Sequence, residues 1–228
     1  MKKLLKHVAI IMDGNRRWAR KRKKPLVHGY RAGGEALKRT IEHCLKLGIE
    51  HLTVFIFSTE NWRRSKTEVN TLMRLFEQYI KQVTPELVEK KIRLNIFGSL
   101  DELPKSLQAE LKKSMQLTKK NAKMTLNLAM NYGGRDEMVR TVRKIVKAKP
   151  KPGQITEKYI SKHLYSAGVP DPELIIRTSG EIRLSGFLLW QSAYSELYFT
   201  GKLWPDFKAS DLNKAILEWQ KRKRRFGI

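Results

Sequence analysis

The chain has 228 residues, enough for one sizeable domain, and its hydrophobic share of 41% is ordinary for a globular protein. Its net charge of +25 points to anionic partners: nucleic acid, an acidic lipid surface or phosphorylated substrates. Cys44 is the single cysteine, which excludes a disulfide framework and a cysteine-based zinc site and suits a reducing, cytoplasmic setting.

The first apolar run, Val8 to Met12, reads as a buried strand ending in an Asp13-Gly14-Asn15 turn. It is shorter than a signal-peptide core, and no stretch approaches the roughly 20 apolar residues of a membrane span. Contact with a membrane would therefore be peripheral. A helix-compatible segment with Arg16 and Arg17 follows, then the cation run Arg20 to Lys24, which suits a solvated face or loop. His28 to Gly34 reads as another turn. From Glu35 to Leu47 the positions Ala36, Leu37, Ile41, Cys44 and Leu45 recur at helical spacing, and Gly48 supplies the stop.

His51 to Phe57 is β-branched and aromatic, so a second buried strand is expected, running into the polar loop Ser58 to Arg64. Thr67 opens a long helix whose stripe, from Val69 to Leu87, serves as core or as the wall of an apolar pocket. Ile92 to Gly98 is a third strand, and Pro104 leads a helix to about Lys119. Met124 to Tyr132 is a fourth strand, closed by a Gly133-Gly134 turn and a helix to about Lys147. A surface connection to Gly153 precedes a short helix with Thr156 as N-cap and Tyr159, Ile160 and Leu164 inward. Leu174 to Ile176 is a fifth strand, running into Arg177 to Gly186. Glu196 to Phe199 is the last strand, and Ser210 caps a terminal helix that ends in the basic run from Lys221.

Strands alternating with helices predict a single α/β domain, residues 1–228, with a mostly parallel sheet. Three strand ends carry unusual residues: Asp13 to Arg17, Ser58 to Arg64, and Arg177 to Ser185. A parallel sheet brings such ends to one edge, where ligands of open α/β sheets bind. Arginine forks and turn amides suit diphosphate. A lone carboxylate at Asp13 suits a magnesium ion bridging to that diphosphate, or a plain turn cap. There is no Walker A pattern, no Gly-x-Gly-x-x-Gly, and the five histidines lie in no triad motif.

Four stretches, IIMDGNRRWA, FSTENWRR, LNLAMNYGGRDE and IIRTSGEIRLSGFLLWQSAYSELYFTGKLWPDF, with a closing RRFG, resemble the cis-prenyltransferases of the undecaprenyl diphosphate synthase family. They span nearly the whole chain. The resemblance implies a homodimeric α/β enzyme with an apolar tunnel beside a six-stranded parallel sheet. It implies magnesium-dependent addition of isopentenyl diphosphate, in cis, to an allylic diphosphate such as farnesyl diphosphate, giving a long product such as undecaprenyl diphosphate. By similarity Asp13 is the catalytic aspartate, engaging magnesium. Gly14, Asn15, Arg16, Arg17 and Trp18 hold the allylic diphosphate. Ser58, Thr59, Glu60, Trp62 and Arg64 line the reacting centre, with Asn61 assisting proton removal. Arg177, Arg183, Leu184 and Ser185 bind isopentenyl diphosphate, and Glu196 matches a magnesium-linked carboxylate.

The chain also departs from the family pattern. Tyr30 and Leu26 stand where the family often has histidine and arginine, so Arg16 or Arg31 would supply the lost charge. Ser179 stands where the family has glycine. Ile56, on a tunnel-lining strand, is bulky enough to shorten the product. The competing class is a basic nucleic-acid-binding protein, suggested by the runs at 20–24 and 221–225. The runs lack interleaved aromatics, and no nucleic-acid-binding motif accompanies them. A better use of the charge is loose attachment to anionic lipid.

Overall fold

The computed structural model describes residues 5–222. Its strands are β1 (His7–Ile11), β2 (His51–Ser58), β3 (Ile92–Phe97), β4 (Met124–Tyr132), β5 (Leu174–Arg177) and β6 (Glu196–Phe199). The helices are α1 (Asn15–Lys21), α2 (Leu26–Lys46), α3 (Lys66–Glu89), α4 (Lys105–Thr118), α5 (Gly134–Ala148), α6 (Glu157–Ser161) and α7 (Ala209–Lys221). The strands form one all-parallel sheet in the order β3-β4-β2-β1-β5-β6.

A parallel sheet needs apolar cover on both faces. β1 shows how the sequence meets this. Val8 and Ile10 join the large core built with α2, α3, α4 and α7, while Ala9 and Ile11 face a smaller core of Phe97, Ala129, Tyr132, Ile175 and Phe187. From β1 the chain builds outward through β2 on one side and returns to lay β5 and β6 on the other. The crevice beyond the carboxyl ends of strands at such a reversal is where open α/β sheets take ligands, and Asp13 follows β1 there.

Four local expectations change. The expected turn at His28 to Gly34 is the first two turns of α2. Its glycines permit close approach: a Cβ on Gly29 would stand 2.2 Å from the Asn15 carbonyl oxygen, and one on Gly33 2.3 Å from Asn15 Oδ1. Each glycine costs a helix about 1 kcal/mol against alanine, so tertiary contact overrides local preference here. The Ser58–Arg64 loop contains a 3-10 helix, Thr59–Arg63, at whose start the Ser58 backbone N–H donates to Asn61 Oδ1 at 3.2 Å. The cation run is helical as far as Lys21. Ser210 lies inside α7, where the Asp211 carboxylate accepts from the Lys208 backbone N–H at 2.9 Å and does the capping instead. The terminal RRFG and most of the basic run after Lys221 lie outside the described residues.

Candidate active site

The strand-to-helix turn after β1 is pinned by its backbone. Asp13 N–H donates to the Ile11 carbonyl at 2.9 Å, and the Asp13 carbonyl accepts from Trp204 N–H at 3.0 Å and Thr178 Oγ1 at 2.6 Å. Gly14 then takes a φ of +114° to start α1, a conformation that strains any other residue. These constraints hold the Asp13 carboxylate between two arginines: Arg177 Nη2 at 3.0 Å and Arg17 Nη2 at 3.2 Å, both on Oδ2. Burial alone would raise this carboxyl. Hydrogen bonds from Arg177 and Ser179 and the charges of Arg17 and Arg177 outweigh it and hold Asp13 below the usual carboxylate range.

Arg177 ends β5 with its side chain only 6% exposed. Its Nη1 donates to Ser185 Oγ at 2.8 Å and to the Arg183 carbonyl, while its Nε is buried without a partner among the described residues. A buried N–H of this kind is costly to leave unpaired. Ser179 and Ser185 both sit at positive φ, +77° and +51°. Glu181 was not anticipated. It accepts from Arg17 Nη1 at 3.2 Å and Arg183 Nη1 at 2.6 Å and so aligns both side chains.

An open cavity of about 1260 Å³ runs from this turn down between α2, α3 and the sheet. Its polar part is lined by Asp13 to Arg17, Ser58, Glu60, Asn61, Arg64, Arg177 and Ser185. Arg20, Arg31 and Arg135 also reach it, so its arginines outnumber Asp13, Glu35 and Glu60. Its apolar part is lined by Leu37, Ile56, Phe57, Leu72, Leu75, Phe76 and Tyr79. A second, wholly apolar cavity of about 30 Å³ shares Leu37, Ile56, Phe76 and Tyr79, which therefore form a partition. The Tyr79 hydroxyl donates to the Gly34 carbonyl at 3.0 Å and pins that ring.

Tyr30 donates to Glu68 Oε1 at 2.6 Å, and the same oxygen meets Arg64 Nη1 at 3.3 Å and Arg16 Nε at 3.7 Å. Burial and the Glu68 hydrogen bond push the Tyr30 hydroxyl well above its ordinary value, so it stays protonated and donates. Arg16 and Arg31 line the cavity beside it. Glu68 was also missed; its signal is the Ser65-x-x-Glu68 helix start, where Glu68 N–H donates to Ser65 Oγ at 3.3 Å.

Not every expected residue arrives. Trp18 turns away, its indole donating to Asp206 Oδ1 at 2.8 Å with Arg22 over the ring. Thr59 packs where Gly133 has no side chain, and Trp62 donates to Asn131 Oδ1 at 2.7 Å; neither lines the cavity. Leu184 packs against the smaller core, and Arg183 reaches Glu181 rather than the cavity. Glu196 starts β6 in register with Leu174, the amino end of the sheet, and pairs with Arg222 at 2.7 Å. Asp13 follows the opposite end, on the order of 10 Å further along the strand direction. Within one chain the two carboxylates do not meet.

No group of three His, Cys, Asp or Glu able to hold a metal occurs among the described residues. That donor set still fits magnesium in one way. Magnesium is commonly held by one or two carboxylates together with substrate phosphate oxygens and water, and Asp13 offers one carboxylate among arginines.

Residues 11–227 match the prenyltransferase family model described as "Putative undecaprenyl diphosphate synthase". An isoprenyl transferase of Thermotoga maritima is 50% identical over 223 residues, covering 97% of this chain and 96% of that protein. One of Heliobacterium mobile is 49% identical over 226 residues, covering 97% and 87%. The crystal structure of lavandulyl diphosphate synthase from Lavandula x intermedia, in complex with dimethylallyl diphosphate, superposes with a TM-score of 0.95 at 37% identity and covers 99% of both chains. A structure described as a probable undecaprenyl diphosphate synthase from Campylobacter jejuni gives 0.84 at 30% identity over the full length of both. The family match over nearly the whole chain, relatives near 50% identical and the shared fold agree, and the chain belongs to the undecaprenyl diphosphate synthase family of prenyl transferases.

Proposed function

We propose that this enzyme condenses isopentenyl diphosphate units, in cis, onto an allylic diphosphate, with farnesyl diphosphate as primer. The observation that carries this reading is the Asp13 carboxylate held by Arg17 and Arg177 at the polar end of a 1260 Å³ cavity whose other end is apolar. A diphosphate head and a hydrocarbon tail match those two ends. In the reaction the C–O bond of the allylic diphosphate breaks and diphosphate leaves, the terminal double-bond carbon C4 of isopentenyl diphosphate forms the new C–C bond to the allylic C1, and the positive charge left on C3 is discharged by loss of a proton from C2, which makes the new C2–C3 double bond.

The chain's own groups act on charge and position. The α1 start with Gly14, Asn15, Arg16 and Arg17 receives the allylic diphosphate through backbone N–H groups and guanidinium forks. Arg177 and Ser185 receive isopentenyl diphosphate, with Arg183 swinging from Glu181 to join them. Arginines aimed at the leaving diphosphate stabilise charge that grows toward the transition state. Magnesium, held by Asp13 and diphosphate oxygens, would supply further neutralisation of the leaving group. The Asn61 side-chain NH2, which has no partner among the described residues while its Oδ1 accepts from Ser58 N–H, orients the isopentenyl unit. An amide is a weak base, so a diphosphate oxygen takes the proton.

Two finer points belong to the same proposal. The partition of Leu37, Ile56, Phe76 and Tyr79 favours a product shorter than eleven isoprene units. The Ile56→Ala variant opens it and should lengthen the product ladder by at least one unit, read by chromatography of extracted lipids. An unchanged ladder would remove the partition from product control. Since Asp13 and Glu196 lie at opposite sheet ends, a magnesium role for Glu196 needs a second copy of the chain, in the homodimer that the resemblance implies. No helix among the described residues is long and apolar enough to cross a membrane. The +25 charge supports a cytoplasmic enzyme that attaches peripherally to anionic lipid, where an apolar product must go. Equal binding to acidic and neutral vesicles would count against this.

The deciding experiment incubates the enzyme with farnesyl diphosphate, labelled isopentenyl diphosphate and magnesium, with and without chelator. A chelator-sensitive ladder of labelled lipids is expected. Absence of labelled lipid with every allylic primer tried would overturn the reading.

A further inference from the structure

Behind the Thr59–Arg63 segment lies a residue that does not line the cavity yet ties three parts of the fold together. Asn131 is the next-to-last residue of β4, is 2% exposed, and has a φ of +48°. It sits where the β2–β4 ladder slips. Phe57 is in register with Met130 and Ser58 with Tyr132, so Asn131 has no residue opposite it. One extra residue on one strand is a β-bulge, a feature that re-aims a side chain next to a site. Gly98 makes room for it: a Cβ there would stand 1.9 Å from the Met130 carbonyl oxygen.

The re-aimed amide is fully used. Nδ2 donates to the Ser99 carbonyl and to Glu102 Oε2, both at 3.0 Å, and Oδ1 accepts from Trp62 Nε1 at 2.7 Å. Trp62 also packs edge-on against Phe57, with ring centroids 5.1 Å apart. Asn61 and Arg64, the neighbours of Trp62 in sequence, line the cavity. A 3-10 turn has poorer hydrogen-bond geometry than an α-helix and is readily displaced. The Ser58 N–H bond to Asn61 Oδ1 closes this one at its start, and the Trp62 indole anchors the rest.

We propose that Asn131 is a positioning residue for prenyl transfer: its Oδ1 clamps the Trp62 indole and thereby sets where Asn61 and Arg64 stand at the cavity wall. This rests on the function proposed above. A bulge that served only the sheet would be met by glycine, which adopts positive φ freely. The side chain is needed for the clamp.

The test compares Asn131→Gly, which keeps the backbone and deletes the clamp, with Trp62→Phe, which keeps a ring and deletes the N–H, and with the double variant. Each single variant should lose about 100-fold in kcat/KM, the scale of a small misplacement of reacting groups. The double variant should be no worse than the worse single, since both changes break the same Trp62–Asn131 contact. The Trp62 indole N–H resonance, assigned by its loss in Trp62→Phe, should move in Asn131→Gly. Asn131→Asp keeps an acceptor for the indole and should fall between wild type and Asn131→Gly. Wild-type kcat/KM in folded Asn131→Gly, or additive losses in the double variant, would overturn the proposal. If Asn131→Gly does not fold, Trp62→Phe and Asn131→Asp decide by the same activity readout. If the wild type forms no product, the proposed function fails separately. Titration with inorganic pyrophosphate then decides on Asn131: weaker binding by Asn131→Gly than by wild type supports the clamp, and equal binding rejects it.

Discussion

Two arginine–carboxylate pairs stand at opposite edges of the same sheet. Arg177 and Asp13 meet at 3.0 Å beyond the carboxyl ends of the strands, and Arg222 and Glu196 meet at 2.7 Å near the amino ends. The shorter contact is the less consequential for one chain. The Arg222 side chain is 42% exposed, whereas that of Arg177 is 6% exposed. Exposed pairs contribute about 0–1 kcal/mol because water and salt screen them and ordering long side chains opposes them. A buried guanidinium keeps its field and its direction. Environment, rather than distance, separates the two pairs.

Left-handed backbone occurs at both edges: at Ser179, Ser185 and Asn131 around the carboxyl edge, and at Lys91, just before β3, at the amino edge. The edges differ more clearly in their polar contacts. At the amino edge the His7 ring is satisfied, bonding to the Pro170 carbonyl at 2.6 Å and Thr53 Oγ1 at 2.7 Å.

The sharpest way to break this asymmetry is Asp13→Asn, which keeps shape and removes charge. Turnover is expected to fall at least about 10³-fold, the upper range for one preorganised electrostatic group, with the circular dichroism spectrum retained. Turnover near the wild-type level would place the essential charge elsewhere.

At the amino edge the larger effect is on stability. Burial, with the neighbouring His51 adding to it, lowers the His7 pKa from 6.5 to about 3, against the raising effect of the Pro170 carbonyl. The unfolded chain therefore takes up a proton near pH 6.5 that the folded chain refuses until about pH 3. Stability is lost as pH falls through that window. Between pH 7 and pH 5 the loss is about 2 kcal/mol. Urea unfolding at the two pH values should show it, and His7→Asn should flatten the dependence. A wild-type midpoint that does not move would refute the buried neutral imidazole.

The smallest expected change is Glu196→Gln, below about 1 kcal/mol in unfolding free energy. It also sharpens the comparison, since activity can be measured on the same variant. A large loss of magnesium-dependent turnover at unchanged stability would give Glu196 its metal role through a second chain. Unchanged turnover would leave it a surface pair.

Much of this was legible in the linear chain. The buried strands are continuous apolar runs bounded by turn residues, so β1, β2, β4 and β5 could be read from composition and periodicity. Asp13, Arg17 and Arg177 could be expected together because the ends of parallel strands meet at one edge of the sheet, and there they do meet. Other features depended on contacts between segments far apart in the chain. Gly29 and Gly33 look like turn residues until Asn15 is seen packed against them. Glu68 and Glu181 look like surface carboxylates until their arginines arrive from other elements. Trp18 and Glu196 sit in motif-bearing stretches, yet side-chain direction and strand register take them away from the cavity. Periodicity and residue chemistry act over neighbouring positions and can be read in order. Which glycine a neighbouring helix touches, which carboxylate meets which guanidinium, and which end of a strand a residue occupies depend on how the elements pack, and only the tertiary structure decides them.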